Sequence, residues 1–433
     1  MNITDFSLKL NGFPIKEAQE KLREIQNIDS HNFESYVINA KKDIVHYHLK
    51  NNSFYSSFCK GGFSTWGELP ILTKKDLQVP LQSRLSNGFS NTNTYTNKTS
   101  GSTGNPFSFA KDKFSHALTW AIIRNRFNWH GLYGKKQARF YGIPNDALAR
   151  LKERLKDFFS NRYRFNVFDL SDIAFENWLD KFNKNHFVYL NGYTTVIVAF
   201  ANYLNSKNLI LKDICPSLKA CVVTSEMCAE EDKTAMSKAF GIPIINEYGA
   251  SELDLIAFQN TKNQWIINTE SLFIEIIDVN DKPLPYGEIG RIIITSLYNK
   301  AHPFIRYDLG DIGTLTKIDS KTIILEKLEG RKEDLIHLPS GKTAPGLTFY
   351  YITKSVIKDS SAIKEIKVIQ TAKDTFEIQY SANQQLSLME QKTIKDALYE
   401  YLEPNLNISF HKFEQLERSK SGKLKQFTSL IKS

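Results

Sequence analysis

Apolar positions along the first half of the chain recur at helical spacing, then at strand spacing, in alternation. Residues 15–50 place apolar side chains three or four apart among mixed charges, the pattern of amphipathic helix. Segments 113–129, 149–159 and 172–185 repeat it. Residues 187–190 and 218–224 read as short strands, 193–204 as a buried helix, 230–240 as a further helix and 243–246 as another strand. Strands alternating with helices imply parallel βαβ units. From residue 264 the texture changes. Segments 265–268, 272–278, 290–296 and 323–328 are short strands separated by Gly, Pro and Asp turns, which predicts an antiparallel, sheet-rich portion. Beyond Gly330, alternating runs at 363–370 and 375–380, an amphipathic helix at 386–402 and a strand at 406–413 make a compact β-β-α-β unit. The expected class is α/β. A large domain over 1–330 holds mixed or parallel sheets, helices and an antiparallel β portion, and a small mobile α+β domain covers 331–433. Residues 91–105, NTNTYTNKTSGSTGN, lack large aliphatic side chains and read as a loop, or as a polar strand followed by a loop.

Composition changes this picture little. A chain of 433 residues allows two or three domains. Its 56 Lys plus Arg against 47 Asp plus Glu leave +9. The segment 331–433 holds 16 basic and 12 acidic residues, so it carries +4 and the rest +5. Basic residues sit among acids and form no block, which argues against nucleic acid and against a membrane surface and fits a binder of small anions. The four cysteines, Cys59, Cys215, Cys221 and Cys228, contain no Cys-x-x-Cys pair and read as reduced, mostly buried thiols. The nine histidines are scattered, so no structural zinc is expected. The start MNITDFSLKL has no signal-peptide pattern, and the most apolar stretch, 195–204, is too short to span a bilayer. A cytoplasmic location is expected.

Five motifs carry candidate chemistry. Thr99-Ser100-Gly101-Ser102-Thr103-Gly104 brackets hydroxyls with glycines ahead of a helical pattern, which suits phosphate, though a Ser/Gly surface loop has the same composition. It is not a Walker A loop. Asn246-Glu247-Tyr248-Gly249-Ala250-Ser251-Glu252 follows a strand, where a ring can stack on a base and a carboxylate can hold Mg²⁺; a strand-to-helix turn with a core Tyr and a capping Ser reads equally well. In 306–313, two carboxylates, Asp308 and Asp311, flank a glycine in a turn between strands, fit either for a ribose diol or for solvent. Arg331 offers a planar fork for a nucleotide, or belongs to a charged linker. Arg418-Ser419-Lys420-Ser421-Gly422-Lys423 presents a cation beside a glycine, or is a basic frayed tail.

In their order and spacing, the five motifs resemble the adenylate-forming (acyl-adenylate) superfamily, and within it the phenylacetate–CoA ligase-like group with its CapK-type relatives, from about residue 95 onward. The resemblance implies that Thr99, Ser100, Gly101, Ser102, Thr103 and Gly104 close over the ATP phosphates. It implies that Ser225 and Glu226, with Thr224, lie along the adenine, that Tyr248 stacks on it, and that Glu247 and Gly249 flank that stack. Ser251 would approach the α-phosphate, Glu252 would ligate Mg²⁺, and Asp311 rather than Asp308 would take the ribose hydroxyls. Arg331 would reach the nucleotide, and Lys423 would bridge the α-phosphate and the attacking carboxylate. Tyr141, Gly142, Asn191, Tyr193, Thr224 and Ala250 would line the acid pocket, and the aromatics there suggest a small or aromatic acid. The implied reaction is activation of a carboxylic acid by Mg·ATP as an acyl-adenylate, then transfer to CoA. An amine or hydroxyl acceptor, as in surface-polysaccharide or natural-product assembly, is the alternative. The small domain would turn about Glu333 or Asp334 between the two steps. Some relatives carry a Cys/His zinc cluster after the tyrosine motif. Residues 256–267 contain neither Cys nor His, so no such metal is expected here. A monomer or a homodimer is expected.

Overall fold

The computed structural model describes residues 11–99, 107–142, 147–331, 335–341, 343–345, 363–418 and 424–431. The chain divides into two compact units, 1–309 with 313–327, and 310–312 with 328–433.

In chain order the strands begin with a polar antiparallel pair, β1 (Tyr95–Lys98) and β2 (Ser108–Lys111). There follow β3 (Gln137–Phe140), β4 (Arg162–Arg164), β5 (Tyr189–Tyr193), β6 (Ala220–Thr224), β7 (Ile244–Ala250), β8 (Asp254–Gln259), β9 (Trp265–Ile267), β10 (Leu272–Ile277), β11 (Ile289–Ser296), β12 (Tyr307–Lys317) and β13 (Ile323–Arg331). These eleven form one sheet in the order β10-β11-β12-β13-β9-β8-β7-β6-β5-β3-β4. Strands β4, β3, β5, β6 and β7 pair in parallel, and β8 then runs antiparallel to β7.

Helices cover both faces of the parallel half. Leu190, Cys221, Val223 and Ile244 face an aromatic core that includes Phe140, Phe165, Trp178 and Phe200, under helices Asp172–Asn183, Thr194–Ser206 and Glu230–Phe240. Tyr189, Ala220, Val222 and Ile245 face helices Ile15–Gln26 and Lys113–Asn128. A strand buried on both faces reads as a continuous apolar run, which is why β5 and β6 were legible in the sequence. Burial of these side chains, at roughly 25 cal/mol per Å² of apolar surface, is the main favourable term holding the three layers together.

The structure corrects four expectations. The helical pattern at 15–50 is two helices, Ile15–Gln26 and Ser30–Asn51. The break is held by Lys321, whose ammonium donates to the Gln26 and Ile28 carbonyls, both at 2.7 Å, satisfying acceptors that a continuous helix would have used. Strands β3 and β4 were not expected, because Gln137, Arg139, Arg162 and Arg164 interrupt any apolar pattern. The motif 246–252 does not lie beyond the strand and does not lead into a helix. Strand β7 runs through it to Ala250 and turns at once into β8. The turn is possible because position 249 is glycine: a Cβ there would lie 2.5 Å from the Asp254 carbonyl oxygen, and the ladder shifts register between Tyr248 and Gly249. Finally, 306–313 is not a turn but lies almost wholly inside β12, where Asp308 and Asp311 are both buried.

The second unit contains a two-stranded pair, β14 (Leu335–His337) with β15 (Thr343–Pro345), and a four-stranded sheet. The latter is ordered β18-β17-β16-β19, from β16 (Ile363–Ala372), β17 (Thr375–Ala382), β18 (Asn407–Phe413) and β19 (Phe427–Ser429). The helix Leu388–Tyr401 starts at a reciprocal cap between Ser387 and Glu390 and buries Ile394 and Leu398 against Phe376, Ile378 and Ile408. The frayed-tail reading of the C-terminal basic segment fails for its described part. Leu424 is buried, and β19 pairs in parallel with β16. The four cysteines are free thiols, and all but Cys228 are buried. No helix among the described residues is long and apolar enough to cross a membrane.

Candidate active site

The carboxyl ends of β3, β5, β6 and β7 bring together most of the side chains expected at an acid pocket. Cα partners in parallel strands share a face, and the ladders pair Arg139 with Asn191, Tyr193 with Thr224, and Thr224 with Glu247. Tyr141 follows on the same face as Arg139, and its ring lies 4.9 Å from that of Tyr193. Asn191 is the node of the group. Its Oδ1 accepts from Gln137 Nε2 at 2.8 Å and from the Tyr141 hydroxyl at 3.4 Å, and its Nδ2 donates to the Val222 carbonyl at 3.2 Å. A buried amide with these bonds is a positioning element that fixes the Tyr141 ring. Between Asn191 and Tyr193, Gly192 is required by the neighbouring strand, since a Cβ would stand 2.3 Å from the Phe140 carbonyl oxygen. The Gly142 carbonyl accepts from Arg164 at 3.0 Å. Burial raises the Tyr141 phenol above its ordinary range and pushes the Glu247 carboxyl up, the latter opposed by the Thr224 hydroxyl and the charge of Arg139.

A second cluster surrounds Glu252, on the turn between β7 and β8. Its carboxylate is buried, and Oε1 accepts from the Tyr307 hydroxyl at 2.9 Å. Among the described residues Oε2 makes no hydrogen bond, which leaves one charged oxygen for a cation. The same turn is tied to the polar hairpin. Lys111, at the end of β2 and almost fully buried, pairs with the Asp254 carboxylate and donates to the Ser251 carbonyl at 3.2 Å. At the mouth of the hairpin the Thr99 N–H donates to the Phe107 carbonyl at 3.0 Å, and the Thr99 hydroxyl accepts the Phe107 N–H at 3.1 Å. Thr99 therefore closes the base of its loop. Ser100, Gly101, Ser102, Thr103 and Gly104 lie outside the described residues, as do Glu333, Asp334 and Lys423.

The remaining expected residues are distributed as follows. Tyr248 is buried and meets Trp265 edge-on at 6.1 Å between ring centres. Ser225 ends β6 in the left-handed region at φ 72°. Glu226 reaches the start of helix Thr194–Ser206, where its carboxylate accepts from the Thr195 N–H and hydroxyl, both at 2.8 Å, so the side chain serves a helix N-terminus. Ala250 closes β7 opposite Asp254, and Ser251 is exposed. Asp308 is held by Arg291 at 2.9 Å, a structural ion pair. Asp311 is buried in the part of β12 that belongs to the second unit, and Arg331 is the last residue of β13. Among the described residues no group of three or more His, Cys, Asp or Glu could hold a metal on its own. Sequence reading missed Arg139, Gln137 and Lys111, which carry no motif. It quoted Tyr307 without giving it a role.

No family model matches the sequence. Protein CapK of Staphylococcus aureus is 23% identical over 313 residues, covering 68% of this chain and 67% of that protein. Phenylacetate-coenzyme A ligase of Pseudomonas putida is 28% identical over 125 residues, 28% of each chain. Among solved structures, 2-hydroxyisobutyryl-CoA ligase in the postadenylation state with R3-HIB-AMP superposes at a TM-score of 0.73 and 13% identity, over 93% of this chain and 90% of that one. The fold is that of this acyl-adenylate-bound ligase, and the sequence is similar to CapK and, over a shorter stretch, to phenylacetate-coenzyme A ligase. The strand-end cluster brings together polar and aromatic groups, and the Glu252 turn holds a buried carboxylate. Lys111 joins that turn to the β1–β2 hairpin. Replacing Lys111 by methionine should leave Asp254 without its partner and uncouple the two elements. We expect a loss of about 3–5 kcal/mol of stability, since one member of a buried pair is left behind, together with a raised KM for ATP. Thermal unfolding and ATP titration check both. Unchanged melting and an unchanged KM would show that the pair is dispensable.

Proposed function

We propose that this enzyme activates a carboxylic acid with ATP as an acyl-adenylate, releasing pyrophosphate, and then passes the acyl group to CoA. The observation that supports it best is the setting of Glu252. This buried carboxylate is steadied by Tyr307, keeps one oxygen for a cation, and sits on a turn bound through Lys111 to the hairpin that ends in the Ser/Thr/Gly loop.

The substrate carboxylate attacks the α-phosphorus of ATP. A new P–O bond forms, and pyrophosphate leaves. No protein nucleophile is needed, so the chain contributes positioning and charge neutralisation. A magnesium ion, when bound to the triphosphate and Glu252, supplies neutralisation of the phosphate charge. Thr99 to Gly104 enclose the phosphates, Tyr248 packs beside the base, Asp311 takes the ribose hydroxyls, Arg331 reaches the nucleotide, and Lys423 meets the α-phosphate together with the incoming carboxylate. Tyr141, Tyr193, Thr224 and Ala250 shape the acid site, with Asn191 holding Tyr141. In the second step the CoA sulfur attacks the acyl carbonyl and AMP leaves. The need for ATP and CoA assigns the reaction to the cytoplasm.

Acid-dependent ATP–pyrophosphate exchange over a panel of carboxylic acids tests the first step. No exchange with any acid would defeat the proposal. The match to CapK is longer than the match to phenylacetate–CoA ligase, so the acceptor test carries two arms. Acyl-CoA formed on addition of CoA supports the first reading. Acyl amide or ester formed with amino-sugar or amino-acid acceptors, without thioester, supports the second.

A further inference from the structure

The polar face at the ends of the parallel strands holds a charge that the reaction above does not use. Arg139 stands in β3, level with Asn191 and next to Tyr141 on the same face, and its guanidinium carbon lies 4.0 Å from the centre of the Tyr141 ring. Among the described residues it makes no side-chain hydrogen bond and no ion pair, and its Nε is buried without a partner. Two nearby carboxylates among the described residues are taken. Asp157 and Glu153, on helix Ala147–Phe159, pair with Arg162 and Arg164 of the adjacent β4. Among the described residues this corner sets three guanidiniums against these two carboxylates. Glu247, on the same face, forms no ion pair with Arg139, and burial pushes its carboxyl up.

A half-buried guanidinium without a hydrogen-bond partner is costly to dehydrate further, and its buried, unsatisfied Nε calls for an explanation. Stacking on Tyr141 compensates one face of the ion but none of its N–H groups. The planar fork matches a carboxylate in two parallel hydrogen bonds. We propose that Arg139 selects the substrate: the acid this enzyme activates carries a second carboxylate at the end remote from the reacting one, and Arg139 binds it. The inference rests on the acid-activating reading and narrows it from any small acid to a dicarboxylic acid. A substrate ending in methyl or bare phenyl would strip water from Arg139 and return nothing to it.

The test is ATP–pyrophosphate exchange with the full-length enzyme on matched pairs, phenylacetate against 4-carboxyphenylacetate and pentanoate against glutarate, for wild type, R139Q and R139K. The expected result is that wild type prefers the diacid of a pair by about 30-fold or more in kcat/KM. R139Q should lose that preference through KM, with exchange on the monoacids unchanged or improved. R139K should retain part of it, since lysine keeps the charge without the fork. The melting temperature of R139Q should change little, because among the described residues no hydrogen bond or ion pair of Arg139 is lost. Wild-type enzyme that uses monoacids as well as diacids would overturn the inference while leaving the ligase reading intact. So would an R139Q variant that loses both classes equally and melts lower. Exchange with no acid at all would defeat the ligase reading. Calorimetric binding of 4-carboxyphenylacetate and glutarate without ATP would then decide Arg139 separately: binding lost in R139Q upholds the anion site, and binding that is absent or independent of Arg139 overturns it.

Discussion

Replacing Lys423 by alanine will slow acid-dependent ATP–pyrophosphate exchange by about 10²–10³-fold, the usual loss when one preorganised charge at the reacting centre is removed, while ATP affinity changes only a few-fold. The selectivity of the effect follows from where charge collects. In the proposed mechanism the nucleotide is already held through its base, ribose and terminal phosphates. The α-phosphate, by contrast, becomes crowded with negative charge only as the carboxylate approaches. The segment bearing Lys423 has fixed ends within its unit. On one side Arg418 pairs with the half-buried Glu365, and on the other Leu424 is buried just before β19 joins β16. Exchange that survives in Lys423→Ala would remove the lysine from the mechanism. A matching loss of ATP binding would recast it as a ground-state contact.

Replacing Glu252 by glutamine will lower kcat for adenylation by about 10²–10³-fold and shift the magnesium requirement upward. The amide keeps the volume and the hydrogen bond with Tyr307, so a fall in rate cannot be assigned to collapse of the turn. A Mg²⁺ titration of the exchange rate is the measurement. If the carboxylate binds the ion, excess Mg²⁺ will recover part of the lost rate. A Glu252→Gln enzyme with wild-type rate and wild-type Mg²⁺ dependence would refute the assignment. Tyr307→Phe separates holding from binding. It removes the hydroxyl and its 2.9 Å hydrogen bond to Glu252 and is expected to cost about 1–3 kcal/mol of stability through the unsatisfied acceptor, with a smaller loss of rate than Glu252→Gln.

The candidate site was legible in proportion to how much of it is written as local motif. The 246–252 segment, the two aspartates of 306–313 and the two basic positions could be singled out because glycine, hydroxyl and charge alternate there at short range. Their backbone setting could not be read. Whether 246–252 is a turn or a strand depends on the approach of the β8 backbone to Gly249. Whether Asp308 or Asp311 is spoken for depends on Arg291, seventeen residues away in the chain. Tyr307 stood in a quoted motif, yet nothing local indicated that its hydroxyl meets Glu252.

The sequence by itself determined the alternation of strands and helices, the sheet-rich middle and the compact C-terminal unit. These follow from burial, and burial on one or both faces leaves a period in the chain. It also determined the order of the motifs. Only the tertiary structure decided what β3 and β4 are, because their polar side chains erase that period. It alone decided that helix 15–50 breaks under Lys321, and that Arg139 reaches the strand ends while Asp157 and Glu153 pair with Arg162 and Arg164. Those outcomes depend on pairings between residues far apart in the chain. Local propensity is blind to them, since the free energy of a buried charge or an open carbonyl is set by what the fold places opposite it.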